Sequence, residues 1–176
     1  GARKFYLPSA DYVWPHVMNR RVRQLVSDHG GSIVGEEYFP LDHMDYRATV
    51  EHIMASGADV VFNTIVPPGV TPFFEGLYNA GFQARGGQLV CTYFDENFLN
   101  MVPAPYVEGL WSCLDYYEAV TDPFSQKLLK QYDALYPGAA KFTGGSACSG
   151  LYRGLRLWAA AVLEAGSLSQ ADVVSA

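Results

Sequence analysis

A short apolar segment at residues 58–66 constrains the fold more than any other part of this chain. Its sequence is Ala-Asp-Val-Val-Phe-Asn-Thr-Ile-Val, and Pro67-Pro68-Gly69 follows at once. An apolar run without alternation, bounded by turn residues, is typical of a strand that is buried on both faces of a parallel sheet. Because ligands bind beyond the carboxyl ends of such strands, Asn63 and Thr64 are predicted to face a binding crevice.

Strand-like and helix-like segments alternate along the whole chain. Strands are predicted at 4–7, 32–39, 58–66, 88–93 and 107–113, and helices at 15–29, 46–56, 71–79, 123–136 and 149–165. The second strand is expected at a sheet edge because it is more polar, and the last of these helices is expected to be deeply buried on one side. Shorter helical segments are predicted at 95–99 and 169–174. This alternation predicts an α/β fold, a doubly wound, flavodoxin-like parallel sheet of strand order 2-1-3-4-5 with helices on both faces.

Composition limits the classes of function that this chain can have. At 176 residues, with 49% hydrophobic and 17% charged side chains, the chain fits one ordinary globular domain. Its net charge of −6 argues against nucleic acid binding, which needs clustered Lys and Arg. Three cysteines without a CxxC pair, and no His at metal-ligand spacing, argue against a zinc site, although one disulfide with one free thiol stays possible. We predict neither a metal nor a cofactor.

Polar side chains follow three of the predicted strands. The loops after the first, third and fourth strands meet at one crevice in this topology. Their hydroxyls, amide, carboxylates and aromatic rings suit a small neutral or zwitterionic polar ligand. The candidate ligand-binding residues are Ser9, Asp11, Tyr12, Trp14, Asn63, Thr64, Thr92, Tyr93, Asp95 and Glu96. For each of them a helix cap or a loop turn is the alternative role, and Asp11 and Asp95 both precede helical segments.

The sequence lacks the motifs that identify common classes of enzyme. It contains no GxSxG, no GxxxxGK[ST] and no GxGxxG after a strand. The four histidines, His16, His29, His43 and His52, are predicted on helices or surface loops away from the strand ends. We therefore predict no catalytic residue, and the sequence favours binding over catalysis.

Three segments of the chain resemble type 1 periplasmic binding proteins. They are residues 4–15 (KFYLPSADYVWP), 30–41 (GGSIVGEEYFPL) and 58–64 (ADVVFNT), and Thr121-Asp122-Pro123 before a helix is similar too. The branch that the chain resembles most is that of amide and urea receptors, with branched-chain amino acid receptors as the alternative. The resemblance implies that residues 1–176 are a single ligand-binding lobe, the C-terminal one, of a longer two-lobed receptor. It implies ligand contacts from Ser9, Asp11, Tyr12, Asn63, Thr64, Thr92 and Tyr93.

The same resemblance implies a substrate-binding component of an ABC transporter for urea, a short-chain amide or an amino acid. Its expected partners are that ligand, the missing N-terminal lobe of the same receptor and a membrane permease. Its expected location is the periplasm or the cell surface. The alternative is a cytoplasmic amide-sensing regulatory protein that acts through a protein partner, and an enzyme on the same fold is the third hypothesis. A signal peptide or lipid-attachment sequence before residue 1 would separate the first two.

Overall fold

Five parallel strands form the sheet on which the rest of the fold is built. The computed structural model describes residues 1–138 and 145–176. The strands are β1 (Lys4–Ala10), β2 (Ser32–Phe39), β3 (Val60–Asn63), β4 (Gln88–Cys91) and β5 (Trp111–Ser112). Their order is β2-β1-β3-β4-β5, and every neighbouring pair is parallel. The predicted fold class and strand order are confirmed, and β2 lies at an edge as expected.

Helices connect the strands and continue beyond the sheet. They are α1 (Val13–Asp28), α2 (Arg47–Ser56), α3 (Val70–Asn79), α4 (Glu96–Leu99), α5 (Ala104–Val107), α6 (Pro123–Leu135), α7 (Gly145–Ala165) and α8 (Gln170–Ser175). The predicted fifth strand at 107–113 is wrong at its start, because Val107 ends α5 and Gly109, at a φ of 75°, separates that helix from β5. The small-residue loop expected before the helix at 149–165 falls largely on residues 139–144, which lie outside the described residues.

The described residues form two compact units. Unit one comprises residues 1–94 and 98–113, and unit two comprises residues 95–97 and 114–176. The whole sheet and helices α1, α2, α3 and α5 belong to unit one. Helices α6, α7 and α8 belong to unit two.

Alternating side chains of the strands pack into two cores in unit one. On one face of the sheet, Tyr6, Val61 and Leu89 pack with apolar residues of α2 and α3. On the other face, Leu7 and Phe62 pack with residues of α1. All four residues of β3 are buried, which confirms the prediction of a strand covered on both faces.

Helix α7 does not bury its apolar residues as the sequence predicts. Leu151, Leu155, Trp158 and Leu163 are 66%, 57%, 53% and 84% exposed. Among its described residues only Gly145 and Ser149 are buried. The pattern of apolar residues predicted that a face of this helix is covered, but a pattern does not specify that the covering element is present. Helix α7 therefore leaves several large apolar side chains in contact with water.

A half-buried carboxylate ties β1, β2 and α2 together. Glu37 of β2 accepts hydrogen bonds from the Tyr6 hydroxyl at 2.6 Å and the Thr49 hydroxyl at 2.7 Å. His52 Nδ1 lies 2.7 Å from the same carboxylate. Burial by itself would raise the pKa of Glu37, but the hydrogen bonds from Tyr6, Thr49 and His52 outweigh it and hold that pKa below its usual value. The ionised carboxylate is therefore the form that stabilises this part of the fold.

Removing the charge of Glu37 tests this role. We expect Glu37→Gln to lower the free energy of unfolding by about 1–2 kcal/mol at pH 7, because three donors lose an ionised acceptor. The native pKa is depressed, so the contribution of wild-type Glu37 is complete above its unfolded pKa and is lost as the pH falls through its native pKa. Urea unfolding at pH 7 and at about pH 3 measures both effects.

The exposed Glu51 on α2 provides a matched control. Glu51→Gln should change the free energy of unfolding little at either pH. A Glu37→Gln difference as large at pH 3 as at pH 7 would contradict a contribution from the ionised carboxylate.

Candidate ligand-binding site

The carboxyl ends of β1, β3 and β4 lie side by side. Ser9 and Thr64 form a parallel bridge just beyond the end of β3, and Asn63 is paired with Cys91. The Thr64 amide donates to the Pro8 carbonyl at 3.0 Å, and the Ala10 amide donates to the Thr64 carbonyl at 3.2 Å. The structure thus brings together the strand-end residues that the sequence predicts at one crevice.

Three aromatic rings form a wall at these strand ends, and we call Tyr12, Trp14 and Tyr93 the aromatic wall. The ring centroids of Tyr12 and Trp14 are 6.1 Å apart. Those of Trp14 and Tyr93 are 5.9 Å apart, in an edge-to-face arrangement. Burial raises the pKa of Tyr12 and that of Tyr93, so both phenols are neutral near pH 7. The wall therefore presents apolar ring faces, and neither of its phenols is charged.

Two threonine hydroxyls in the same part of unit one lack a protein partner. Thr64 is fully buried and Thr92 is half-buried. Neither Oγ1 atom has a hydrogen-bond partner within residues 1–138 and 145–176. Because Asn63 pairs with Cys91, the next residues, Thr64 and Thr92, stand at the same level on neighbouring strands. Buried hydroxyls are normally hydrogen-bonded, so the hydrogen-bonding capacity of this pair is left unused by the described residues.

Asn63 holds the chain that leaves β3. Its Oδ1 accepts from the Ile65 amide at 3.0 Å, and its Nδ2 donates to the Ile65 carbonyl at 3.2 Å. The same Nδ2 lies 3.3 Å from the Tyr93 hydroxyl, which itself donates to the Ile65 carbonyl. Asn63 is fully buried, and these contacts occupy its amide. The sequence predicts Asn63 as a ligand contact, and the structure gives it bonds that fix the end of β3 and orient the ring of Tyr93.

Ser9 and Asp11 also have protein partners. Ser9 is fully buried; its hydroxyl lies 3.3 Å from the Leu7 carbonyl and accepts from Asn19 Nδ2 at 2.8 Å. The Asp11 carboxylate is exposed and lies 2.8 Å from His16 Nε2. Of the residues predicted in the turn after β1, Tyr12 and Trp14 are the ones whose rings line the aromatic wall.

A hydrogen-bonded cluster behind this turn was not anticipated from the sequence. The ring of His16 stacks on Tyr38, with centroids 3.9 Å apart and an interplanar angle of 10°. The Tyr38 hydroxyl donates to Glu36 at 2.5 Å and accepts from Asn19 Nδ2 at 3.1 Å. We call His16, Asp11, Tyr38, Asn19 and Glu36 the turn cluster. The prediction that all four histidines lie away from the strand ends is wrong for His16, because Tyr38 pairs in register with Ser9.

Asp95 and Glu96 belong to unit two, where their carboxylates accept backbone hydrogen bonds. Asp95 is 4% exposed, and its carboxylate accepts from the amides of Asn97 and Ser146, each at 3.0 Å. Glu96 accepts from the Ala119 amide at 3.2 Å. Asp95 thus satisfies an amide in the first turn of α7, where helix amides lack intrahelical acceptors.

Two classes of feature were not found in the part of the chain that the structure describes. No group of three or more His, Cys, Asp or Glu side chains there could hold a metal ion. No helix in the described ranges combines the length and apolarity needed to cross a membrane.

The chain matches a known protein family over its whole length. A family model described as "Periplasmic binding protein domain" matches residues 1–176. It covers both units of the structure.

Solved structures with the same fold are about twice as long as this chain. A solute-binding protein of an ABC transporter from R. palustris, in complex with 4-hydroxybenzoate, has a TM-score of 0.83 at 21% identity over 100% of this chain and 48% of its own. A leucine-binding protein from Thermotoga maritima has a TM-score of 0.83 at 17% identity, covering 99% and 49%. An amino acid ABC transporter substrate-binding protein from Pseudomonas fluorescens has 0.79 at 18% identity, covering 98% and 45%. At these identities the similarity establishes the fold.

Replacing Asn63 tests whether its hydrogen bonds hold the strand end that borders the crevice. We expect Asn63→Ala to lower the free energy of unfolding by about 2 kcal/mol, because the buried Ile65 amide loses its acceptor. Chemical unfolding measures the change. Asn79→Ala, which removes an exposed amide at the end of α3, should change stability little and serves as the control. Equal stabilities of the two variants would contradict the role of Asn63.

Proposed function

This chain belongs to the periplasmic binding protein family, and we propose that it forms one lobe of a two-lobed substrate-binding protein of an ABC transporter. The fold supports this proposal, since the similar structures named above include transporter components for amino acids and 4-hydroxybenzoate. The length supports it as well, because the chain spans about half of those structures: 45% in one and 48% in the other. The proposed location is the periplasm or the cell surface, and the proposed partners are a second lobe and a membrane permease.

The observation that carries the proposal is the pair of unpartnered hydroxyls, Thr64 and Thr92, near the aromatic wall. Binding pockets for small molecules combine apolar and aromatic surfaces with a few polar groups that fix orientation. A polar ligand that hydrogen-bonds the two hydroxyls would replace water there, while the rings of Tyr12 and Trp14 cover its apolar part. Asn63 and Ser9 would act indirectly, by holding the strand ends in place.

The charges at the strand ends favour a neutral ligand. Residues 8–12, 63–69 and 91–94 contain no Lys or Arg. The one carboxylate among them, Asp11, lies against His16. A ligand carboxylate would thus find no cationic side chain in these segments, whereas an uncharged amide or urea needs only hydroxyls and carbonyls. We therefore propose urea or a short-chain amide as the ligand, with a small amino acid as the alternative.

Binding in such a receptor is proposed to work by closure of two lobes. A ligand that contacts both lobes binds the closed state better than the open state, and it shifts the hinge equilibrium toward closure. The residues of unit one supply one side of the cleft. The isolated chain is then expected to bind its ligand much more weakly than the complete receptor, because half of the contacts are missing.

Titration calorimetry of the complete receptor with urea, acetamide, butyramide, leucine and 4-hydroxybenzoate tests the ligand class. We expect saturable binding of an amide or urea. Thr64→Val should weaken that binding about tenfold, because it keeps the shape of the side chain and removes one hydrogen bond of roughly 1.4 kcal/mol. Tyr12→Ala should weaken it at least as much, because it removes one ring of the aromatic wall.

Ser27→Ala is a control for the loss of a hydroxyl, since Ser27 is exposed near the far end of α1. It should bind like the wild type. Preference for leucine or 4-hydroxybenzoate would contradict the amide assignment but would remain consistent with ligand binding at this crevice. An unchanged affinity of the Thr64→Val variant would contradict the proposal, because the proposal depends on a ligand contact with the Thr64 hydroxyl.

The exposed apolar residues of α7 support a partner that lies outside residues 1–176. We propose that Leu151, Leu155, Trp158 and Leu163 are covered in the complete receptor by its second lobe. Burying the apolar surface of these side chains would stabilise the complex by about 25 cal/mol per Å², whereas leaving it in water is unfavourable.

The isolated chain should therefore self-associate in a concentration-dependent way. Sedimentation analysis should show oligomers of the wild-type chain, and Leu155→Lys with Leu163→Lys should shift it toward monomer. The control, Val13→Lys, changes an exposed apolar residue of α1 and should leave self-association unchanged. A wild-type chain that stays monomeric at all concentrations would contradict an uncovered docking surface.

A further inference from the structure

We propose that His16 is a positioning residue, which holds Asp11 against β2 and thereby fixes Tyr12 and the aromatic wall in the geometry that binds ligand. This inference rests on the proposed function of the crevice. It concerns a residue outside the set predicted from the sequence.

The anchor is the ring of Tyr38, which is held from two sides. Its hydroxyl donates to Glu36 at 2.5 Å and accepts from the fully buried Asn19 at 3.1 Å. Glu36 is itself held by Arg23, whose Nη1 lies 2.5 Å and 2.6 Å from the two carboxylate oxygens. Burial and the neighbouring Glu36 raise the pKa of Tyr38, so the phenol stays a hydrogen-bond donor near pH 7. A ring held this way is a fixed surface.

His16 transmits that fixed position to the turn. Its imidazole lies flat on the Tyr38 ring, 3.9 Å between centroids, and its Nε2 reaches the Asp11 carboxylate at 2.8 Å. Asp11 is also held by its backbone, because its amide donates to the Phe39 carbonyl at 2.7 Å. The main chain of Asp11 is thus bonded to β2, and its side chain is bonded to His16, which stacks on Tyr38 of β2.

The turn then sets the aromatic wall. Tyr12 follows Asp11 directly, has an extended backbone with φ −154°, and immediately precedes α1. Within the described residues no side chain caps the start of α1, so the Asp11 carboxylate bonds to His16 instead of serving as a helix cap. The stack and the His16–Asp11 contact are thus side-chain contacts that tie this turn to β2.

The exposure of the pair separates positioning from general stability. The side chains of His16 and Asp11 are 47% and 58% exposed. Exposed pairs of this kind contribute little to the stability of a whole domain. Their loss should let the turn move and reduce the preorganisation of the wall, which weakens binding without unfolding the protein.

The test uses the complete polypeptide that contains residues 1–176, with His16→Ala, His16→Gln and the control His29→Gln at the other end of α1. Affinity and dissociation rate are measured with the amide or urea that binds the wild type, and chemical unfolding is measured in parallel. We expect His16→Ala to bind about tenfold more weakly, through faster dissociation, at an unchanged unfolding midpoint. His16→Gln keeps a donor for Asp11 and should recover part of the loss.

A second measurement needs no ligand. In the isolated chain of residues 1–176 with Trp111→Phe and Trp158→Phe, Trp14 is the one remaining tryptophan, and acrylamide quenching reports its accessibility. His16→Ala should increase quenching of Trp14, and His29→Gln should not.

The outcomes separate this inference from the proposed function. Wild-type affinity and quenching in His16→Ala would overturn the positioning role, as would a loss of affinity that merely parallels a lower unfolding midpoint. If the wild type binds none of the solutes tested, the proposed function fails, and the quenching of Trp14 still decides whether His16 holds the wall.

Discussion

The parallel pairing of β1 with β3 is the interaction on which the rest of unit one depends. It continues past the end of β3 through hydrogen bonds between Thr64 and its neighbours Pro8 and Ala10. Pro8 lacks an amide hydrogen and cannot donate to this ladder, but its carbonyl accepts from Thr64 and so keeps the two segments joined at this point. This extension aligns the turn after β1 with the end of β3. The turn residues Tyr12 and Trp14 are brought beside Thr64 by that alignment, and the pairing of β3 with β4 adds Thr92 and Tyr93.

The polar residues at the strand ends are of two kinds, which differ in whether the protein supplies their hydrogen-bond partners. Ser9 and Asn63 are fully buried, and their polar atoms bond to the protein. Thr64 and Thr92 carry hydroxyls that have no partner in the described ranges. The first kind fixes the strand ends, and the second kind carries the hydroxyls that we propose for contact with a ligand. Residues that look equivalent as polar groups after strands therefore have different roles.

The sequence was sufficient for the sheet and for part of the crevice. Apolar runs and their turn residues gave the strand order, and the rule for parallel sheets located Thr64, Thr92 and the rings of Tyr12 and Tyr93 at one edge. The turn cluster escaped prediction because it depends on the register of β1 with β2. Tyr38 comes opposite Ser9 only in the paired sheet, and the stacking of His16 on Tyr38 has no periodic signal in the chain.

Asp95 shows why proximity in sequence to a strand end does not assign a ligand-binding role. Its carboxylate bonds to the Ser146 amide, 51 residues further along, in the first turn of α7. Helix amides without intrahelical acceptors attract carboxylates from any part of the chain, and no local pattern predicts which one arrives. The same helix presents Leu155 and Leu163 to solvent. Its amino end is thus fixed by a hydrogen bond to a carboxylate within unit two, whereas its large apolar residues are exposed, and the coverage of those residues by a second lobe is the proposal that links this helix to assembly.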